Sequence, residues 1–158
     1  ITIGLGTNSI TNAIKEITQY RQSLERKALE LSKRLAEIGL PVAKVIFQSA
    51  QYDGINDVGV LVEPTDSGYR LVANGESVAF IEFGTGVYNP EHPLGEALGM
   101  RHGTYGKGFG NRRAWGFYNE DGSLTITHGN APAQAMYLAD KEILTNVTRI
   151  AKEVFNSD

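Results

Sequence analysis

The chain contains no cysteine. Disulfide scaffolds, thiol nucleophiles, iron–sulfur clusters and cysteine-ligated zinc are therefore excluded. It also has no long apolar run. The longest, Val78–Phe83, is interrupted by Glu82 and falls far short of the ~20 residues that a membrane span needs. A basic excess is missing too. Fifteen Lys and Arg stand against 18 Asp and Glu, a net charge of −3, which argues against a strongly basic nucleic-acid binder. The first residues, Ile1-Thr2-Ile3-Gly4, carry no basic n-region, so no secretory leader is expected. What remains is ordinary globular material. The 158 residues suit one domain, and a 41% hydrophobic content can bury one core, which excludes wholesale disorder. Glycine is the outlier: 10 of the 18 lie between Gly84 and Gly122.

Local patterns predict the elements. Ile1, Ile3 and Leu5 alternate as in a short strand. Gly6-Thr7-Asn8-Ser9 reads as a turn, with Asn8 or Ser9 capping a helix. From Ile10 to Ile38 apolar residues recur every three or four positions, so one stripe of a long helix faces inward. Gly39 is expected to end it and Pro41 to stop it from resuming unkinked. A helix of that length spans roughly 45 Å at 1.5 Å per residue, so it should break near Tyr20–Ser23 or pack partly on something else. Pro41 then opens a second helix over Val42–Gln51, although Val45-Ile46-Phe47 also suits a strand. Val58–Glu63 and Tyr69–Ala73, joined by Thr65-Asp66-Ser67-Gly68, predict a hairpin. Asn74-Gly75 is a strong turn signal. Val78–Phe83 is either a strand or a turn of helix. Ala114–Tyr118 and Ser123–Thr127 read as a second hairpin. Pro132 opens a last amphipathic helix. The plan is α+β: a small antiparallel sheet packed by a long N-terminal helix and a C-terminal helix, within a single domain over 1–158. The stretch 87–122 forms an extended, glycine- and aromatic-rich arm within it.

No catalytic site stands out. His92-x-x-x-Glu96 could place two metal ligands on one helical face, but Pro90, Pro93, Gly95 and Gly99 disfavour a rigid helix there. The spacing matches neither zinc-protease pattern, so His92, His102 and His128 are expected to be solvent-exposed loop histidines. Gly84-Thr85-Gly86 lacks the third glycine of a dinucleotide fingerprint, since position 89 is Asn and Pro90 follows. It reads as a tight turn. No Gly-x-Ser-x-Gly is present, and Glu120 and Asp121 sit on a turn where water would solvate them. No cofactor, metal or catalytic residue is expected, and the chain reads as a non-enzyme. Glu82 is more informative. A carboxylate inside an apolar run must be half exposed or paired, with Arg70 or a basic residue of a neighbouring subunit as the expected partner.

Two further features suggest partners. Arg101–Tyr118 interleaves Arg101, Lys107, Arg112 and Arg113 with Tyr105, Phe109, Trp115 and Phe117. Cations among stacking aromatics suit a single-strand nucleic-acid groove, and this is the alternative function for the chain. The same residue types also anchor protein interfaces, and the acidic balance favours that reading. Charge is segregated as well. Asp53–Glu82 holds six acidic residues against one basic, whereas Ile10–Ile38 holds six basic against four acidic. Opposite faces of this kind could meet head-to-tail between copies.

Two blocks carry a family resemblance. The first is Ile81-Glu82-Phe83-Gly84-Thr85-Gly86, which follows a hairpin. The second is Gly129-Asn130-Ala131-Pro132-Ala133, which leads into the last helix. Their order resembles the head–tail joining proteins of long-tailed bacteriophages: minor structural virion proteins of the neck, tail-completion or tail-terminator type. The stretch between the blocks is longer here than in simpler members, and Ala131–Met136 lacks a Pro-Phe-Leu form. The resemblance implies a non-enzymatic, ring-forming connector at the head–tail junction of the virion, assembled in the host cytoplasm, with no membrane partner. Its implied partners are other copies of itself, in a ring such as a hexamer, together with head-completion, connector and tail-tube proteins. DNA would pass through the lumen without sequence-specific binding. The implied interface residues are Glu82–Gly86, Pro132 and the aromatic and basic residues of the arm. An acidic or neutral lumen lets DNA slide, because basic linings hold phosphate. The acidic hairpin segment is thus the expected lumen or top-face element, and a lumen lined by Arg112 and Arg113 would contradict it.

Overall fold

One helix, α1, runs without interruption from Thr7 to Ser49. In this computed structural model the described residues are 7–86, 91–100, 114–119 and 121–156. The expected strand at Ile1–Leu5 lies outside them. Asn8 and Ser9 are inside α1 rather than capping it. The helix neither breaks at Tyr20–Ser23 nor ends at Gly39, and the expected second helix after Pro41 is simply its continuation. Packing explains both corrections. Gly39 is buried, and a Cβ there would sit 2.7 Å from Ile143 Cδ1 and 3.1 Å from Leu71 Cδ2. The glycine marks a close helix–helix approach, not a terminus. Beyond it, Ala43 and Phe47 are almost fully buried, and that burial holds the helix past Pro41, whose ring lies on the exposed side.

Among the described residues two separate two-stranded antiparallel sheets follow, where one sheet was expected. The first pairs β1 (Gly59–Thr65) with β2 (Gly68–Asn74), with Leu61 opposite Val72 and Glu63 opposite Arg70. Pro64 ends the alternation in the sequence but is the sixth residue of β1, opposite Tyr69. An edge strand tolerates it. The second sheet pairs β3 (Trp115–Tyr118) with β4 (Leu124–Thr127). Between the sheets, Val78–Phe83 resolves as a short helix, α2. The last helix, α3 (Ala135–Asn156), starts three residues after Pro132.

α3 lies antiparallel along the C-terminal part of α1. Lys27 Nζ donates to the Phe155 carbonyl (3.2 Å), Arg34 pairs with Glu153, and Gly39 meets Ile143. The core collects Ala43 and Phe47 of α1, Val60 of β1, Ile81 of α2, and Ala135 and Ala139 of α3. The inner face of the first hairpin closes it, through Leu71 and Ala73. Fold class is therefore α+β. No helix among the described residues is long and apolar enough to cross a membrane.

Candidate functional site

The two motif blocks meet. Glu82 of α2 is 4% exposed and points at the first turn of α3. One of its carboxylate oxygens, Oε2, accepts the Met136 amide at 2.9 Å. The other, Oε1, accepts the Tyr137 amide at 3.1 Å. These are the second and third residues of α3, whose N–H groups have no partner within the helix. A residue just before a helix normally supplies that cap. Here the preceding residue is Gln134, held at φ 57°, and a carboxylate from another helix does the capping. Its charge also suits the positive end of the α3 dipole.

His92 completes the group. Its Nδ1 accepts the Leu94 amide at 3.1 Å, so the ring proton lies on Nε2, which faces Glu82 Oε1 at 3.3 Å. The imidazole packs between Phe83, 4.5 Å away between ring centres, and Tyr137, 5.9 Å away. His92 was expected to be a solvent-exposed loop histidine, and it is buried instead. Its burial comes from Phe83, Glu82 and Tyr137, three residues that its own neighbourhood does not announce. Both ring nitrogens are engaged, so a metal shared with Glu96 has no lone pair to bind here. Arg70, the expected partner of Glu82, instead pairs with Glu63 across the first hairpin at 2.9 Å. Of the other histidines, His128 is exposed and His102 lies outside the described residues.

Backbone contacts seal the junction. The Ala133 amide donates to the Ile81 carbonyl (2.8 Å) and the Gln134 amide to the Glu82 carbonyl (3.2 Å). Thr85 and Asn130 are bonded reciprocally: the Thr85 amide reaches the Asn130 carbonyl and the Asn130 amide reaches Thr85 Oγ1, each at 2.8 Å. Such close backbone approach requires glycine. At Gly84 (φ 70°) a Cβ would lie 2.7 Å from both the Asn130 carbonyl oxygen and the Pro132 nitrogen. At Gly129 (φ 102°) it would lie 2.2 Å from the Thr85 carbonyl oxygen. Pro132 is thus not the first residue of the helix. It lies against Gly84 in the lead-in, and the chain turns into α3 only after Gln134.

Below the junction, Asp57 holds the start of α2. Its carboxylate accepts the Glu76 amide (2.7 Å), the Ser77 amide (2.9 Å) and the Ser77 hydroxyl. These bonds, the hydroxyl first, lower its pKa to about 2. On the far side, the Thr127 hydroxyl donates to Asp53 and Asn130 Nδ2 to the Gln51 carbonyl (3.3 Å). The end of α1, the second hairpin and the lead-in to α3 are therefore tied together.

Chemically this is a clamp. Glu82 and His92 spend their polar atoms on one another and on backbone amides. Among the described residues no group of three or more His, Asp and Glu is placed to hold a metal. Glu82, Phe83, Gly84, Thr85, Gly86 and Pro132 come together. Tyr105, Phe109, Arg112 and Arg113 lie outside the described residues, and Trp115 and Phe117 belong to β3. His92 and Asp57 were missed as members of the junction, whereas Asn130 stood in the second motif block. The signal that pointed there was the carboxylate of Glu82 in an apolar run. Comparison with protein-family models, with curated proteins and with solved structures gave no match.

Proposed function

We propose that the chain is a non-enzymatic structural subunit of a ring-forming connector, placed between the DNA-filled head and the tail of a long-tailed bacteriophage virion. One observation carries this reading. The Ile81–Gly86 and Gly129–Ala133 blocks that resemble the connector family form one interlocked junction, with Glu82 capping α3. Two motifs whose first residues, Ile81 and Gly129, stand 48 positions apart and that serve each other suit a shared fold better than coincidence. A ring subunit also needs two unlike faces, one for each neighbour. The acidic segment Asp53–Glu82 and the more basic α1 provide a difference in charge. Partners under this reading are further copies of the chain, head-completion and tail-tube proteins, and DNA passing through without sequence-specific contact.

The test is absolute mass by light scattering across concentration, with single-stranded and duplex oligonucleotides added at low and high salt. The reading expects a discrete closed oligomer indifferent to both oligonucleotides. A single-chain mass at every concentration overturns it. So does tight, salt-sensitive binding of either oligonucleotide, which would point to the 101–118 segment instead.

A further inference from the structure

α1 outruns its cover. α3 ends beside Lys27, and the twenty residues of α1 before that point continue the same apolar face with nothing from α3 over it. Ile10, Ile14, Ile17, Tyr20 and Leu24 recur at helical spacing there, and all are exposed, Ile14 at 60% and Tyr20 at 65%. A helix that gains its stability from packing is not expected to leave the large side chains of such a stripe exposed, as they are around the buried Ala13.

A second bare face lies at the other end of the molecule. In the β3–β4 register Tyr118 opposes Leu124 and Gly116 opposes Ile126, so Tyr118, Leu124 and Ile126 share one face. Tyr118 is 76% exposed and Ile126 68%. A two-stranded hairpin is marginal without a layer against it. The first hairpin has that layer, because its inner face lies on α1. The second presents Tyr118, Leu124 and Ile126 to solvent.

We infer that the N-terminal arm of α1 in one copy docks across the Tyr118–Leu124–Ile126 face of the β3–β4 hairpin in the next copy. Among pairings of the two exposed apolar faces, charge selects this one. Thr7–Lys27 carries four basic and two acidic residues, a net of +2, whereas Ala114–His128 carries Glu120 and Asp121 and no Lys or Arg. Arm on arm or hairpin on hairpin sets like charges together. Arm on hairpin sets opposite charges around two apolar centres. Geometry forbids the contact within one chain. The hairpin is moored to Asp53 and Gln51, just past the end of α1. Ile17 lies 32 residues before Ser49, about 48 Å along the helix. Complementary patches at opposite ends make a heterologous contact, the kind that propagates and forms a ring where the rotation between copies closes. The inference rests on the ring reading and names its contact.

The lack of native cysteine makes the test clean. Ile17→Cys and Ile126→Cys are made singly and together, then oxidised with diamide and run on a non-reducing denaturing gel. A disulfide needs Cα atoms within about 7 Å, so an intrachain bridge between these sites is excluded. The expected result is a covalent ladder from the double variant, a dimer from the mixed single variants, and little from either single variant alone. Strong self-cross-linking of Ile17→Cys would overturn the proposal in favour of arm-to-arm pairing. No cross-link in any combination would also overturn it. A parallel reading uses Ile17→Glu and Ile126→Glu, with circular dichroism to confirm folding. Each should raise the concentration needed for assembly by about tenfold or more, the worth of one buried apolar anchor. A wild-type ring whose mass both variants leave unchanged would overturn this contact while leaving the ring reading intact. A wild-type chain that is always monomeric overturns the ring reading itself.

Discussion

Glu82 caps a helix to which it does not belong: its carboxylate accepts the Met136 amide at 2.9 Å, across 54 residues of sequence. The helix α3 depends on that reach, because Gln134 in a left-handed conformation precedes it. A short helix, a turn and a long helix thereby become one rigid corner, and the His92 segment is fastened to the same carboxylate.

Removing that carboxylate should be costly. Glu82→Ala leaves the half-buried Met136 and Tyr137 amides and the buried His92 Nε2 proton without their acceptor. Each stranded buried donor costs about 1–3 kcal/mol. The expected loss is about 3 kcal/mol or more in urea denaturation, or roughly 6–12 °C in melting temperature. Glu82→Gln retains one acceptor oxygen but turns an NH₂ toward an N–H donor, so it should recover only part of the loss. A Glu82→Ala chain within about 1 kcal/mol of wild type would show that the cap does not hold this corner.

The glycines of the junction predict a sharper failure. Gly129→Ala places a methyl 2.2 Å from the Thr85 carbonyl oxygen, at a positive φ that L residues resist. The obstacle is backbone, which cannot swing aside. Gly122→Ala is the control, since its φ is also positive (79°) but nothing lies within 4 Å. The control should cost about 1 kcal/mol, whereas Gly129→Ala should lose the cooperative unfolding transition or shift it by several times as much. Equal effects at the two sites would mean that the close approach of Gly129 to Thr85 is not a constraint.

These two sites show what the sequence can and cannot disclose. Both hairpins and α3 were legible because their signals are local: alternation, turn residues such as Asp66-Ser67-Gly68, and 3–4 spacing. Glu82 was legible as an anomaly, a carboxylate in an apolar run, but not its partners, which arrive from α3 and from His92. Gly39 and Pro41 misled because local rules assume an unpacked helix. The missing side chain of Gly39 makes room for Ile143 and Leu71, contacts that no window around residue 39 contains. His92 misled for the same reason, since Phe83 and Tyr137 decide its burial.

Pro41 gives a prediction of opposite sign. It sits inside α1, where it removes one helical hydrogen bond and crowds the carbonyl of Glu37. The position is exposed, so the ring contributes little packing. Pro41→Ala restores the N–H and should raise stability by about 1–3 kcal/mol. Destabilisation, measured by urea denaturation, would mean that a bend at Pro41 is needed for the tail of α1 to reach Ile81 and Ala139.

Acid should act on the clamp through Asp57. Folding lowers its carboxyl from 3.8 to about 2, through the Ser77 hydroxyl, then the Glu76 amide and then the Ser77 amide. Asp121, bonded to Ser123, and Glu153, bonded to Arg34 and Arg149, move in the same direction. A carboxyl that is harder to protonate when folded favours the folded state wherever it is ionised. As pH falls, the unfolded chain takes up the proton first, so stability drops with pH. The stabilisation is complete above the unfolded value and disappears between about pH 4 and pH 2. Asp57→Asn cannot ionise and offers a single acceptor oxygen where three donors converge. It should therefore be less stable than wild type at pH 7, and the gap should narrow as both are titrated toward pH 2. Chemical denaturation of the two proteins at stepped pH measures that gap directly. A gap that stays constant across the range would assign the effect of the substitution to lost shape rather than lost charge, and the acid sensitivity would then have to come from Asp121 and Glu153.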